Sequence, residues 1–185
     1  MSKKKAPPMS SPRTIVSVCS NCAVCCTEPI VPVTDSDVHR ITKRTGLRAN
    51  QIVRFYSYSD ADYDPEAGLW IRMPYGKRLL GLKKKNERCI FLSPQNLCTI
   101  YEFRPLTCRT FPFQEADSES GQKLEINKAV KCRLKIADVK LQEGVMSQIA
   151  RENSEDERYE RKVRKWNRSG GKSFDDYLRF MKRTS

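Results

Sequence analysis

Eight cysteines constrain this chain more than any other feature, because all of them lie between residues 19 and 132 and four fall between 19 and 26. Cys19, Cys22, Cys25 and Cys26 make C-x2-C-x2-C-C, and Cys89, Cys98, Cys108 and Cys132 follow singly. A two-residue spacer lets neighbouring thiolates turn toward one ion while the intervening amides donate to sulfur. A metal also deprotonates its thiols, so its capture is coupled to folding. Inert burial is the ordinary fate of a single cysteine. It is a poor account of the run from Cys19 to Cys26, where the local chain offers little else to pack. All eight cysteines are therefore candidate metal ligands.

The first 18 residues start basic but contain no apolar segment and no clear cleavage site. That pattern argues against a secretory leader and for a cytoplasmic protein, where structural disulfides are disfavoured. No stretch approaches the ~20 apolar residues of a membrane span. The thiols then have two main uses. Two closed four-cysteine zinc sites would consume all eight. Alternatively, C-x2-C-x2-C matches the first three ligands of a bacterial-type iron–sulfur cluster, which a distant cysteine completes. The paired C-x2-C knuckles usual for zinc are missing, so the spacing favours iron–sulfur over zinc. Neither use explains Cys26. In extended backbone, adjacent side chains point apart, which would send Cys25 and Cys26 to different metals or faces.

Charge divides the chain into three parts. Net charge is +13 over 185 residues, from 35 Lys+Arg and 22 Asp+Glu. It splits as +4 in residues 1–14, +5 in 15–150 and +4 in 151–185. Residues 1–14 read as a disordered basic tail, 15–150 as the cysteine-bearing domain and 151–185 as a charged helical extension. A basic balance suits nucleic acid. The even spread and the interspersed signs of RENSEDERYERKVRKWNR suit a solvated helix better.

The expected fold is α+β: a small irregular metal-stapled domain with a β-hairpin, short helices and a helical C-terminal extension. Thr34 is placed to cap a helix with Asp35 and Asp37 in its first turn and Gly46 at its end. A short helix is expected over Ala49 to Phe55, and a loop over 57 to 68. Leu69–Met73 and Arg78–Leu82 read as strands joined by Pro74-Tyr75-Gly76-Lys77. Lys83, Lys84 and Lys85 look like a hairpin end or loop. Cys98 to Glu102 fits one helical turn stopped by Pro105, and Leu124 to Asn127 a third strand. Val139, Leu141, Val145, Met146 and Ile149 fit an amphipathic helix ending near Arg151, weakened by Gly144. A charged helix to Trp166 would follow. Ser173 and Asp176 form a capping box for the last helix, with Phe174, Tyr177, Leu178 and Met181 on one side.

The run Cys19-x2-Cys22-x2-Cys25-Cys26, then Cys89-Ile-Phe-Leu, then Cys98-Thr-Ile-Tyr-Glu-Phe-Arg-Pro-Leu-Thr-Cys108-Arg-Thr-Phe-Pro-Phe, resembles the YkgJ-type cysteine-cluster family. The resemblance spans about Cys19 to Cys132 and implies a zinc- or iron-chelating domain with all eight cysteines as ligands. Longer proteins with this cluster include the flagellin lysine N-methylase FliB. This chain lacks a G-x-G-x-x-G loop for a nucleotide-like cofactor, which speaks against a methylase here.

Arg104 and Arg109 flank Cys108. They could hydrogen-bond a thiolate or sulfide and offset its charge, or Arg109 could pair with Glu102 or Glu115. Tyr101, Phe103, Phe111, Pro112 and Phe113 read as an apolar jacket around the metal. His39, the single histidine, reads as a surface residue. It gives no catalytic set, and catalytic residues are not assigned. The leading functional expectation is a metal-binding protein in a redox, sensing or scaffold role, with a metal or cluster and a protein as its partners. A FliB-related protein-modifying enzyme and a zinc-stabilised nucleic-acid-binding module are the alternatives.

Overall fold

In the computed structural model the described residues are 23–27, 30–61, 63–118, 121–127 and 139–184. They form an α+β fold of small antiparallel sheets and helices. Chain order begins with α1 (Val24–Thr27), α2 (Asp35–Thr45) and α3 (Ala49–Ile52). Strands β1 (Val53–Tyr56), β2 (Ile71–Met73), β3 (Gly76–Leu82), β4 (Lys84–Lys85) and β5 (Arg88–Cys89) follow. Next come a 3₁₀ turn at Tyr101–Phe103, α4 (Leu106–Thr110), β6 (Phe113–Ser118) and β7 (Gly121–Ile126). The long α5 (Val139–Ser169) and α6 (Phe174–Thr184) end the chain.

Helix α2 starts where local chemistry says it should. The Thr34 hydroxyl accepts from the Asp37 amide at 3.2 Å, and the Thr34 amide donates to the Asp37 carboxylate at 3.3 Å. Gly46 closes the helix at φ 72°, donating to Thr42 O. A Cβ there would meet nothing within 4 Å, so only backbone strain opposes a side chain. Gly46→Ala is expected to cost about 1 kcal/mol in chemical denaturation, from the left-handed conformation alone.

The main sheet has the order β1-β3-β2, with Val53 opposite Leu82 and Ile71 opposite Arg78. Both of its faces carry buried residues, Val53, Ile71, Leu80 and Leu82 on one and Tyr56 and Leu79 on the other, and Val38 and Ile41 of α2 and Ile52 of α3 join the core. Helices α5 and α6 complete the same core. Tyr159, Val163 and Trp166 of α5 and Tyr177 and Met181 of α6 are all buried in it. The outer edge of β2 is not left bare. Asn167 accepts from the Arg72 amide at 2.7 Å, and its own amide and the Trp166 indole donate to Trp70 O and Arg72 O. Side chains of α5 thus satisfy an edge strand that would otherwise offer unpaired backbone groups. Tyr177 donates to the Tyr159 hydroxyl at 2.8 Å, so neither buried phenol is left unsatisfied. Ser173 and Asp176 form the expected reciprocal cap of α6.

Four local expectations need correction. The helix over Ala49 to Phe55 stops at Ile52, and Val53-Arg54-Phe55-Tyr56 is a strand. β-Branched and aromatic residues with a partner in β3 prefer the sheet. The turn of the first hairpin is Pro74-Tyr75 alone, since Gly76 and Lys77 already belong to β3, and Leu69 and Trp70 precede β2. The strand at Leu124 belongs to β7, and its partner β6, from Phe113, had no clear strand signal of its own. The two helices expected between Asp138 and Trp166 are one 31-residue helix that runs through Gly144. Glycine costs a helix only ~1 kcal/mol. Here Val145 and Ile149 bury in the small core with Leu124, and farther along the same helix Tyr159 and Val163 bury in the main core. Among the described residues, no helix is long and apolar enough to cross a membrane.

Candidate metal centre

Five cysteines lie in described positions, and four different pieces of chain carry them. Cys25 and Cys26 are in α1, Cys89 ends β5, Cys98 precedes the 3₁₀ turn, and Cys108 is in α4. Each piece is held by contacts that can be named. Ala23 enters α1 at φ 62° and accepts from the Cys26 amide. The Lys84 ammonium donates to Thr27 O at 2.7 Å, tying α1 to the hairpin of Cys89. That hairpin turns on Asn86 and Glu87, both at positive φ, as a two-residue turn between twisted strands demands. Leu92 bridges to Cys98, and the Thr99 amide and hydroxyl both donate to Phe91 O, so Cys98 folds back beside Cys89.

Cys108 is positioned from farther away. The buried Asp37 carboxylate accepts from the Leu106 amide at 3.3 Å and pairs with Arg40, which also donates to Phe103 O and Arg104 O. Burial raises the Asp37 pKa even though Arg40 opposes it. The first turn of α2 therefore fixes the start of α4. Arg104, only 7% exposed, locks the other side. Its guanidinium donates to Cys108 O at 3.0 Å and Tyr101 O at 2.8 Å and lies 3.9 Å over the Tyr101 ring. Arg109 donates to Arg104 O and Glu102 O, so among the described residues it holds backbone carbonyls and not a carboxylate.

Cys26, Cys89 and Cys108 each feel the charge of other thiols. Cys26 hydrogen-bonds Cys25 across 3.8 Å between sulfurs. That bond, with help from the Arg104 charge and against burial, lowers Cys25 to about 7. The same bond and burial push Cys26 well up, and the charges of Cys25, Cys89 and Cys108 add to it. Burial raises Cys89, opposed by backbone donation from Phe91, with Cys98 and Cys25 adding to the rise. Burial also drives Cys108 far up, reinforced by Cys25, Cys89 and Cys98 and opposed by Arg104. Cys26, Cys89 and Cys108, raised, and Cys25, lowered, form a concentration of soft donors whose charge Arg104 and Lys84 only partly offset. An all-sulfur set of this kind suits zinc or an iron–sulfur cluster. None of the five is in a disulfide.

Among the described residues no three Cys, His, Asp or Glu side chains surround one ion position. Cys19, Cys22 and Cys132 lie outside the described residues. Cys25 and Cys26 do not point to opposite faces as an extended chain would have them. They share one helical turn, where adjacent side chains diverge by about 100°, and their sulfurs touch the same neighbourhood. The aromatic residues also part company. Tyr101 stacks on Arg104, Phe103 joins the main core and Phe113 joins the smaller one. They do not form a single jacket, because Phe103 and Phe113 pack in different cores. His39 is exposed on α2, as the sequence indicates. Asp37, Arg40 and Lys84 position the centre without any local sequence signal, since their partners lie far along the chain.

A family model described as "CxxCxxCC: Putative zinc- or iron-chelating domain" matches residues 18–133. No curated relative and no solved structure matches the chain.

Proposed function

The chain belongs to the CxxCxxCC family of zinc- or iron-chelating domains, and we propose that its eight cysteines, Cys19, Cys22, Cys25, Cys26, Cys89, Cys98, Cys108 and Cys132, hold an iron–sulfur cluster or zinc in a redox, sensing or scaffold role. The chelating unit is residues 15–150, and the helical extension 151–185 braces it. What supports this reading is the nearness of cysteines from α1, β5, the following loop and α4: Cys25 and Cys26 are in hydrogen-bond contact, and Cys26, Cys89 and Cys108 each have other thiols among their charged neighbours. A bound cation removes the repulsion between thiolates and lets the buried sulfurs ionise. Arg104 supports the same end by placing a fixed positive charge beside Cys25 and Cys108. Reduced thiols are required, which suits a cytoplasmic address.

Metal analysis of anaerobically purified protein tests this. Iron with acid-labile sulfide and a brown charge-transfer absorption is the result expected for a cluster. A colourless protein with stoichiometric zinc would replace the cluster by zinc. A folded protein with neither metal would overturn both.

A further inference from the structure

Beside α4, where Thr107 and Thr110 line it, lies a half-open cleft of about 430 Å³, between α5, the β6–β7 hairpin and residues 32–34. Its walls are apolar where Val33, Leu69, Ile149 and Phe113 line it. Two carboxylates of α5, Glu152 and Asp156, lie four residues apart on one helix face in this lining, and Glu115 of β6 is a third. The Thr110 hydroxyl donates to Glu152 at 2.6 Å. Asp156 is half-buried and has no hydrogen-bond or ion-pair partner among the described residues.

The surroundings add negative charge. Burial, and after it the charges of Glu152, Asp37, Glu160 and Glu155, raise Asp156 to about 7. The nearby cations are already committed: Arg40 to Asp37, Lys162 to Asp35, and Arg151 and Arg158 to Glu155. An apolar cavity of this size with a few placed polar groups is the usual form of a small-molecule site. Its charge selects the ligand.

We propose that this cleft binds a small organic amine, with its ammonium between Glu152 and Asp156 and its carbon skeleton on Val33, Leu69, Phe113 and Ile149. The ammonium supplies the charge the carboxylates lack, and the apolar walls favour an amine with a hydrocarbon body over a hydrated metal ion. None of Cys25, Cys26, Cys89, Cys98 and Cys108 lines the cleft.

Calorimetric titration of the full-length, metal-loaded protein tests it with 4-phenylbutylamine, 4-phenylbutanol and 4-phenylbutyrate. The amine is expected to bind saturably and at least about tenfold more tightly than the alcohol, with the carboxylate weakest. Asp156→Asn and Glu152→Gln should each weaken the amine by about tenfold and leave the alcohol and the metal content unchanged. Equal binding of all three compounds, no binding of the amine, or its full displacement by Ca²⁺ would overturn the proposal. The ligand series on the unmodified protein decides the matter even where a variant fails to fold.

Discussion

Cys89→Ser and Cys108→Ser are each expected to cost the protein its metal at one centre and to lower its melting temperature to that of the chelator-treated chain. Serine is nearly the shape of cysteine but a poor ligand for a soft-sulfur centre, so the loss reports ligation and not packing. The loss of affinity should exceed the ~10–100-fold typical of substitutions that only orient a ligand. Each tenfold removes about 1.4 kcal/mol of metal-linked stability. The check is metal per chain by elemental analysis, together with melting curves with and without chelator. A variant that kept full metal content and full stability would remove that residue from the ligand set.

The same thiols make the pH dependence change sign with the metal. In the metal-free chain, burial raises Cys89 and Cys108 above their ordinary values. The stability tied to their neutral forms is fully present below the unfolded thiol pKa of about 8.5. It is lost as pH rises through the higher folded values. In the loaded protein the thiolates are held by the metal, so stability is lost on acidification, as protons displace it. Denaturant titrations across pH should show metal-free protein weakening in alkali and loaded protein weakening in acid.

Arg104→Met is the second large effect. The substitution keeps much of the apolar stem but strands Tyr101 O and Cys108 O without their guanidinium donor. Leaving buried acceptors unpaired costs about 1–3 kcal/mol each. A destabilisation of about 2–4 kcal/mol is expected. Metal affinity should fall as well, because the positive charge beside Cys25 and Cys108 is gone. Arg104→Lys should recover part of the affinity, which responds to charge. It should recover little of the stability, which needs the planar fork of donors. If affinity stayed at the original level in Arg104→Met, the residue would hold α4 in place and do nothing for the thiolates.

Elements written in adjacent residues were readable without the structure. Thr34, Asp37 and Gly46 bound α2, Pro74 marks the first hairpin turn, and Ser173 and Asp176 cap α6, because each feature is a contact within a few positions. The short β1 was hidden, since Val53-Arg54-Phe55-Tyr56 becomes a strand only when β3 is alongside. The continuity of α5 was hidden for a similar reason. Gly144 weakens the helix locally, and the two cores that outweigh it are assembled from distant chain. The charged stretch after Arg151 reads as a solvated helix, yet Tyr159, Val163 and Trp166 give it a buried stripe against the sheet.

The sequence alone determined which soft donors the chain can offer a metal, since its eight cysteines lie in C-x2-C-x2-C-C plus four whatever the conformation. Only the tertiary structure decided that Cys25 and Cys26 turn toward one neighbourhood with Cys89, Cys98 and Cys108, and that Arg104 is buried against it. Spacing along the chain encodes which residues can share a turn. The charge environment of a thiol depends on what packs against it, and here Asp37, Arg40 and Lys84 set that packing through partners 57 to 69 residues away.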